Sequence, residues 1–266
     1  MLTYEALTEQ AVLRGMPATK MRAALREYLQ VLILKEIYRS EAGRKLYFTG
    51  GTYLRLVHSL KRFSEDLDFN TQSMRKNEFE DVVKKAGLEL KRRGLDCQVE
   101  WAHWGNLYAA KIIFTAIEKG YRIVSRYSKK EGISIKVETN RPKWKIKRES
   151  GVVSGFGEFC PVNCTDRAAL FADKVDALVK KNRARHLYDI FFMLSNRYPI
   201  DKGVLNSLGI KADPLEVIVN RVLSLSPAEL KRQAENLRPF LFNEEEADLL
   251  VHAHDTARSL IQAYRQ

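Results

Sequence analysis

The segment from Leu46 to Phe69, LYFTGGTYLRLVHSLKRFSEDLDF, constrains this chain more than any other stretch of it. Short apolar residues at 46–49 end in a Gly50-Gly51 turn, helical spacing follows over 51–60, and a second strand over 65–70 carries Asp66 and Asp68. Residues two apart on a strand share a face, so the two carboxylates lie side by side, one short helix after the glycine turn. Adjacent like charges repel, and a strand that keeps them together calls for a compensating cation such as a metal ion.

Taken singly, the parts have ordinary readings: a Gly-Gly pair is a turn and a D-x-D is a solvated strand. Together they offer two hard oxygen ligands beside backbone N–H groups that open a helix, which suits a magnesium-bound nucleoside triphosphate. Gly50 and Gly51 let the backbone approach phosphates, with Thr52 beside them. Arg55, one helical turn on, has two readings: a phosphate contact, or a partner for Glu65 or Asp66. Ser64 precedes Asp66 by two residues and faces the same side, as a phosphate contact or an ordinary strand serine.

These residues carry a family resemblance. Gly50, Gly51, Thr52, Leu54 and Arg55, followed by Arg62, Ser64, Asp66, Asp68 and Phe69, resemble the glycine and R-x-S-x-D-x-D-F elements of the AbiEii/AbiGii toxin-type nucleotidyltransferases, within the polymerase-β-like nucleotidyltransferase superfamily. Lys174-Val-Asp-Ala-Leu and Arg185-His-Leu-Tyr-Asp189-Ile are similar to that family's C-terminal lysine and R-x-x-Y-D elements, in the same order and separation. His186 stands where many relatives carry Asp, and Lys181 where they often carry Arg.

The resemblance implies an α+β fold: a polymerase-β-like nucleotidyltransferase core, a mixed sheet with flanking helices, followed by a helical C-terminal domain. It implies an enzyme that moves a nucleoside monophosphate from an NTP to an acceptor, with Mg²⁺ (or Mn²⁺) held by Asp66, Asp68 and a third carboxylate. Glu138, at the end of the alternating ISIKVE strand, is the candidate for that third ligand by position; a rim or salt-bridged glutamate is its other reading. Catalytic roles fall to Asp66, Asp68, Lys174 and Asp189, and nucleotide contacts to Gly50, Gly51, Thr52, Arg55, Ser64 and Lys174. Lys174 would meet the triphosphate as a point charge; Asp189 would orient it or act as a base. Lys174, Lys181, Arg185 and Asp189 share a helix face only if one helix runs through Asn182. The resemblance further implies the toxin of a toxin–antitoxin or phage-defence pair, with a separately encoded antitoxin. In some relatives the acceptor is the 3′ end of tRNA.

Charge points the same way. A formal net charge of +12 favours a polyanionic partner. In Arg141-Pro-Lys-Trp-Lys-Ile-Lys-Arg148 an extended backbone would turn Lys143, Lys145 and Lys147 to one side, a basic strip that with Lys181 and Arg185 suits an RNA backbone. The competing reading is a solvated edge strand guarded by lysines. Two other functions stay open: a non-catalytic RNA-binding protein on this scaffold, which retention of both aspartates disfavours, and a transferase acting on a small molecule or protein.

For the rest of the chain the expectation is two domains, an α/β domain over 1–150 with N-terminal helices and a helical domain over 151–266. Strands are expected at 99–104, 108–114, 121–127 and 133–138, and helices at 4–14, 17–37, 75–94, 165–181, 184–196, 201–208, 213–224, 226–237 and 243–264. Cys97, Cys160 and Cys164 are odd in number and read as buried free thiols. No apolar run approaches a membrane span, and the polar N-terminus lacks a signal-peptide pattern, so a cytoplasmic protein without membrane contact is expected.

Overall fold

The computed structural model describes residues 1–123 and 132–266. It divides into two compact units, one of Met1–Pro142 with Arg148–Thr165, the other of Lys143–Lys147 with Asp166–Gln266. The strand expected at 121–127 falls mostly outside the described residues; Tyr121 and Arg122 themselves lie in a turn.

In the first unit the helices are α1 (Tyr4–Leu13), α2 (Met21–Arg39), α3 (Gly50–His58), α4 (Lys76–Arg92) and α5 (Ile117–Gly120). The strands are β1 (Tyr47–Thr49), β2 (Leu67–Asn70), β3 (Gln98–Trp101), β4 (Tyr108–Phe114), β5 (Ile133–Asn140), β6 (Arg148–Gly155) and β7 (Glu158–Thr165). They form a mixed seven-stranded sheet in the order β3-β4-β5-β2-β1-β7-β6, so the fold class is the expected α+β.

Strict alternation builds the sheet's buried face. Ile133, Ile135 and Val137 on β5, and Leu67 and Phe69 on β2, are buried, while Lys136, Glu138 and Asp68 on the opposite face are half-buried. Phe48, Tyr53 and Phe69 pack as a ring cluster joining β1, α3 and β2. Ser59 in the left-handed region ends α3 (φ 62°), and the Leu60 N–H closes back on the Leu54 carbonyl.

The expected boundary at 150/151 is corrected. Residues 151–165 do not open the helical domain; they complete the β6–β7 hairpin, and β7 pairs in parallel with β1 at Phe48↔Cys164. Gly151, which reads as linker, is a packing glycine: a Cβ there would stand 2.9 Å from Cys164 Sγ and 3.2 Å from Val57 on α3. The three cysteines are free and buried as expected, and burial pushes the Cys160 thiol up to about 11 and that of Cys164 up to about 12.

The second unit is helical: α6 (Arg167–Lys180), α7 (Ala184–Ser195), α8 (Lys202–Ser207), α9 (Pro214–Leu223), α10 (Pro227–Leu237), α11 (Asp248–Val251) and α12 (Ala253–Arg265). Its helix starts are chemically marked. Asp166 accepts from the N–H groups of Ala168 and Ala169, Asp213 precedes Pro214, and Ser226 with Glu229 forms a capping box. One expected helix is broken: that over 243–264 divides at His252. Between α6 and α7 the chain is extended at Lys181 and Arg183, so the two are separate helices and no single helix runs through Asn182. The strip 143–147 is not a strand, yet Trp144 and Ile146 are buried and Lys143, Lys145 and Lys147 exposed, as an extended alternation requires. Among the described residues no helix is long and apolar enough to cross a membrane.

Candidate active site

Helix α2 holds the approach to the carboxylates. Arg26 pairs with Glu65 at 2.8 Å, and the Gln30 side-chain amide donates to the Ser64 carbonyl at 3.0 Å. These two residues lie one turn apart on α2 and grip consecutive residues of the loop, so Asp66 enters β2 from a fixed position. The Thr52 hydroxyl donates to the Asp66 carbonyl, tying α3 to the same point.

The two glycines are required by what lies over them. Gly50 has φ +79°, and a Cβ on it would sit 2.3 Å from Asp68 Oδ2. A Cβ on Gly51 would stand 2.6 Å from Arg62 Nη2 and 2.9 Å from Ser64 Oγ. The start of α3 is therefore surrounded by one carboxylate, one guanidinium and one hydroxyl, and its N-cap residue Thr49 makes no side-chain cap bond. Open N–H groups at a helix N-terminus favour an anion, the dipole adding to them.

Register brings the third carboxylate alongside. Asp68 pairs with Thr49 across the antiparallel β1–β2 ladder and with Glu138 across the parallel β2–β5 ladder. Asp66 lies one residue before β2 and remains half-exposed on the same side. Between them stands a residue that the sequence reading missed. Lys136 Nζ is 2.6 Å from Glu138 Oε2 and 4.0 Å from Asp66 Oδ2. Burial disfavours its charge, but the hydrogen bond with Glu138 and the charges of Glu138, Asp66 and Asp68 outweigh that and raise its pKa. The ISIKVE alternation already put Lys136 on Glu138's face, so a signal for it existed.

Asp66 and Asp68 supply the hard anionic oxygens that Mg²⁺ selects, and Gly50 leaves the room beside them. In donor type the pair fits a divalent cation. Glu138 does not complete the set as it stands, because its carboxylate is drawn to Lys136. Among the described residues no three His, Cys, Asp or Glu side chains gather into a ready metal cluster.

Two residues expected at the phosphates are committed elsewhere. Arg55 is buried, and its guanidinium makes a two-pronged pair with Glu27 (2.9 and 3.1 Å) and a bond to the Leu60 carbonyl. Neither Glu65 nor Asp66 is its partner in that pair; the ion pair closes α2 onto α3 from inside the core. Thr52 is fully buried, with its hydroxyl held by Asp66. Arg62, also of the motif, is buried as well: its guanidinium packs under Gly51 and donates to the Phe63 carbonyl at 3.0 Å.

In the second unit, Lys174 and Asp189 form a pair at 2.7 Å, both buried, with Asp189 fully inaccessible. They meet although no single helix joins them: α6 and α7 pack together and bring the two side chains into contact. Asp189 thus holds the Lys174 ammonium directly. His186, one turn before Asp189, has both ring nitrogens buried without a hydrogen-bond partner among the described residues. Of the basic residues expected to meet RNA, Lys143, Lys145 and Lys181 are exposed. Lys147 bonds Asp201 at 2.7 Å, and Arg185 stacks on the Phe240 ring, its guanidinium carbon 4.9 Å from the centroid.

Residues 32–250 match the family model described as Nucleotidyl transferase AbiEii toxin, Type IV TA system. Among solved structures the chain is similar to MenT4, a nucleotidyltransferase toxin from Mycobacterium tuberculosis, with 18% identity, a TM-score of 0.61 and coverage of 99% of this chain and 93% of that one. It is also similar to JHP933 from Helicobacter pylori, with 18% identity, a TM-score of 0.53, and 92% and 94% coverage. At such identities these structures speak to the fold. No curated protein matches.

Proposed function

Because the chain belongs to the AbiEii nucleotidyl transferase toxin family of type IV toxin–antitoxin systems, we propose that it uses Mg²⁺ to transfer a nucleoside monophosphate from an NTP to the 3′ end of an RNA, with tRNA as the acceptor class. Nucleotidyltransferase activity follows from the family, and membership in a toxin–antitoxin family implies an antitoxin partner.

The observation that carries the reading is the seat of Asp68: its carboxylate lies against Gly50 at the opening of α3, with Glu138 in register beside it. A triphosphate laid along the start of α3 meets backbone N–H groups, while Asp68 faces it from β2 and Asp66 from the residue just before that strand. The bound divalent ion would neutralise charge on the phosphates and polarise the α-phosphoryl group. Asp66 and Asp68 hold and orient it. The resemblance of its motif supports Lys174 as a point charge for nucleotide phosphate, and within its own unit the Asp189 carboxylate holds that ammonium. The acceptor hydroxyl gives up its proton to solvent water as its oxygen bonds to the α-phosphorus, and the bond to the β-phosphate oxygen breaks so that pyrophosphate leaves. Such catalysis is chiefly positioning and charge stabilisation, which two aspartates held at the start of β2 can provide.

An RNA acceptor is supported by the net charge of +12 and by the exposed Lys143, Lys145 and Lys181. The test is incubation with Mg²⁺ and each α-³²P-labelled NTP, with pooled tRNA, with tRNA lacking a free 3′ hydroxyl, and without RNA. Label in intact tRNA only, with one NTP preferred, is the expected result. Label entering protein or small molecules, with tRNA untouched, would overturn the acceptor assignment.

A further inference from the structure

Asp68 and Glu138 are register partners on one sheet face, with Asp66 just before β2 near the same lysine, and carboxylates so placed repel one another unless a cation lies among them. The chain supplies one. Lys136 reaches from β5 to Glu138 at 2.6 Å and toward Asp66 at 4.0 Å, and it is paired to neither deeply nor incidentally: its side chain is 35% exposed, that of Glu138 17%. The stem is fixed by alternation, since Ile135 and Val137 on either side are fully buried. Lys136 therefore cannot swing to the other face of the sheet, and its ammonium stays over the carboxylates.

We propose that Lys136 is the resident counter-cation of this cluster, a positioning residue that holds Glu138 and competes with a divalent ion for Asp66 and Asp68. This rests on the reading of the two aspartates as metal ligands, and not on the choice of nucleotide or acceptor. An ammonium 4.0 Å from Asp66 repels an incoming dication and also occupies Glu138, the oxygen donor nearest in register to Asp68. Two consequences follow. The carboxylates tolerate one another before any metal arrives, and divalent-ion affinity is set below what the bare carboxylates would give. Loaded nucleotide, whose phosphates attract both cations, would then favour the metal-bound arrangement with Lys136 turned toward phosphate oxygen.

The test is Mn²⁺ binding to the full chain without nucleotide, read from the electron paramagnetic resonance signal of free Mn²⁺. Lys136→Met keeps most of the stem and removes the charge; Lys136→Gln serves as a second neutral variant should the first fold poorly, and Lys136→Arg restores the charge. The neutral variant is expected to bind Mn²⁺ at least about tenfold more tightly than the unaltered chain. The arginine variant should return to the original affinity, which a merely structural role for the stem would not require. The neutral variant should also gain more thermal stability from added Mn²⁺. Unchanged or weaker binding in the neutral variants, with clear binding by the unaltered chain that Asp66→Asn abolishes, would overturn the counter-cation role and leave the metal reading standing. Absence of Mn²⁺ binding in every protein would overturn both.

Discussion

The carboxylate of Asp68 occupies the space into which a side chain on Gly50 would project, 2.3 Å from the position of its Cβ. The turn and the carboxylate are thus one feature: the glycine is there because the aspartate is. With φ at +79°, an L-residue at position 50 is strained before it touches anything.

Gly50→Ala should therefore damage the site at its centre. Displacing Asp68 by about an ångström is expected to lower transfer on the order of 10²-fold, with a stability loss of roughly 1–2 kcal/mol from the strained backbone. Single-turnover transfer assays and urea melts would check both. A variant with full activity would mean that Asp68 has freedom the structure denies it.

Arg55 separates core from chemistry. Its partner Glu27 is buried as deeply as Arg55 itself and keeps Arg14 at 3.1 Å as a second cation, so Arg55→Ala removes the inner of two partners and should cost roughly 1–3 kcal/mol in stability. Asp66→Asn, on a half-exposed side chain, should leave the unfolding midpoint within about 0.5 kcal/mol while abolishing transfer. Chemical denaturation of the two variants side by side is the measurement.

The Lys174–Asp189 pair predicts strong non-additivity. Lys174→Met removes the ammonium that stands 2.7 Å from the inaccessible Asp189 carboxylate and should destabilise the chain by about 2–4 kcal/mol. Adding Asp189→Asn to it should recover part of that loss, because the buried negative charge is gone with its cation. The double variant should still fail in transfer, whereas recovery of activity would remove Lys174 from the mechanism.

His186 gives an acid limb of defined sign. Burial, then the nearby positive charge of Lys174, pushes its imidazole down to about 3. The unfolded chain takes up that proton near the ordinary value of about 6.5. Between those values the unfolded state holds the extra proton, so stability falls as pH drops through the window and is flat in this group above it. His186→Asn should flatten that part of the stability–pH curve, read from urea midpoints at pH 4 through 8.

What the sequence exposed was local. Gly50, Gly51, Asp66 and Asp68 lie within a short span where turn chemistry and carboxylate spacing mark them, although it is the β1–β2 pairing that seats Asp68 against Gly50. Arg55 and Thr52 lie in the same span yet were misassigned, because their partners are set by tertiary packing: Glu27 comes from α2, and the Asp66 carbonyl is reached only once α3 docks on β2. The β6–β7 hairpin was hidden by Gly151, Gly155 and Gly157, which read as linker until packing against Cys164 and Val57 accounts for the first of them. A shared face for Lys174 and Asp189 required one helix through Asn182; two helices form there, and their packing makes the contact, which no local pattern encodes. Lys136 was passed over for a different reason: alternation placed it beside Glu138, but only the register of β5 against β2 shows that the pair lies next to Asp68.

The most direct test of the account is transfer of label from an α-³²P-labelled NTP in Mg²⁺ by the unaltered chain, Asp66→Asn and Asp68→Asn, with the fold of each verified by circular dichroism. The account predicts transfer by the unaltered chain and a loss of at least about 10³-fold in both folded variants. Folded variants that transfer label at the unaltered rate would contradict it, since the two aspartates would then have no part in the chemistry.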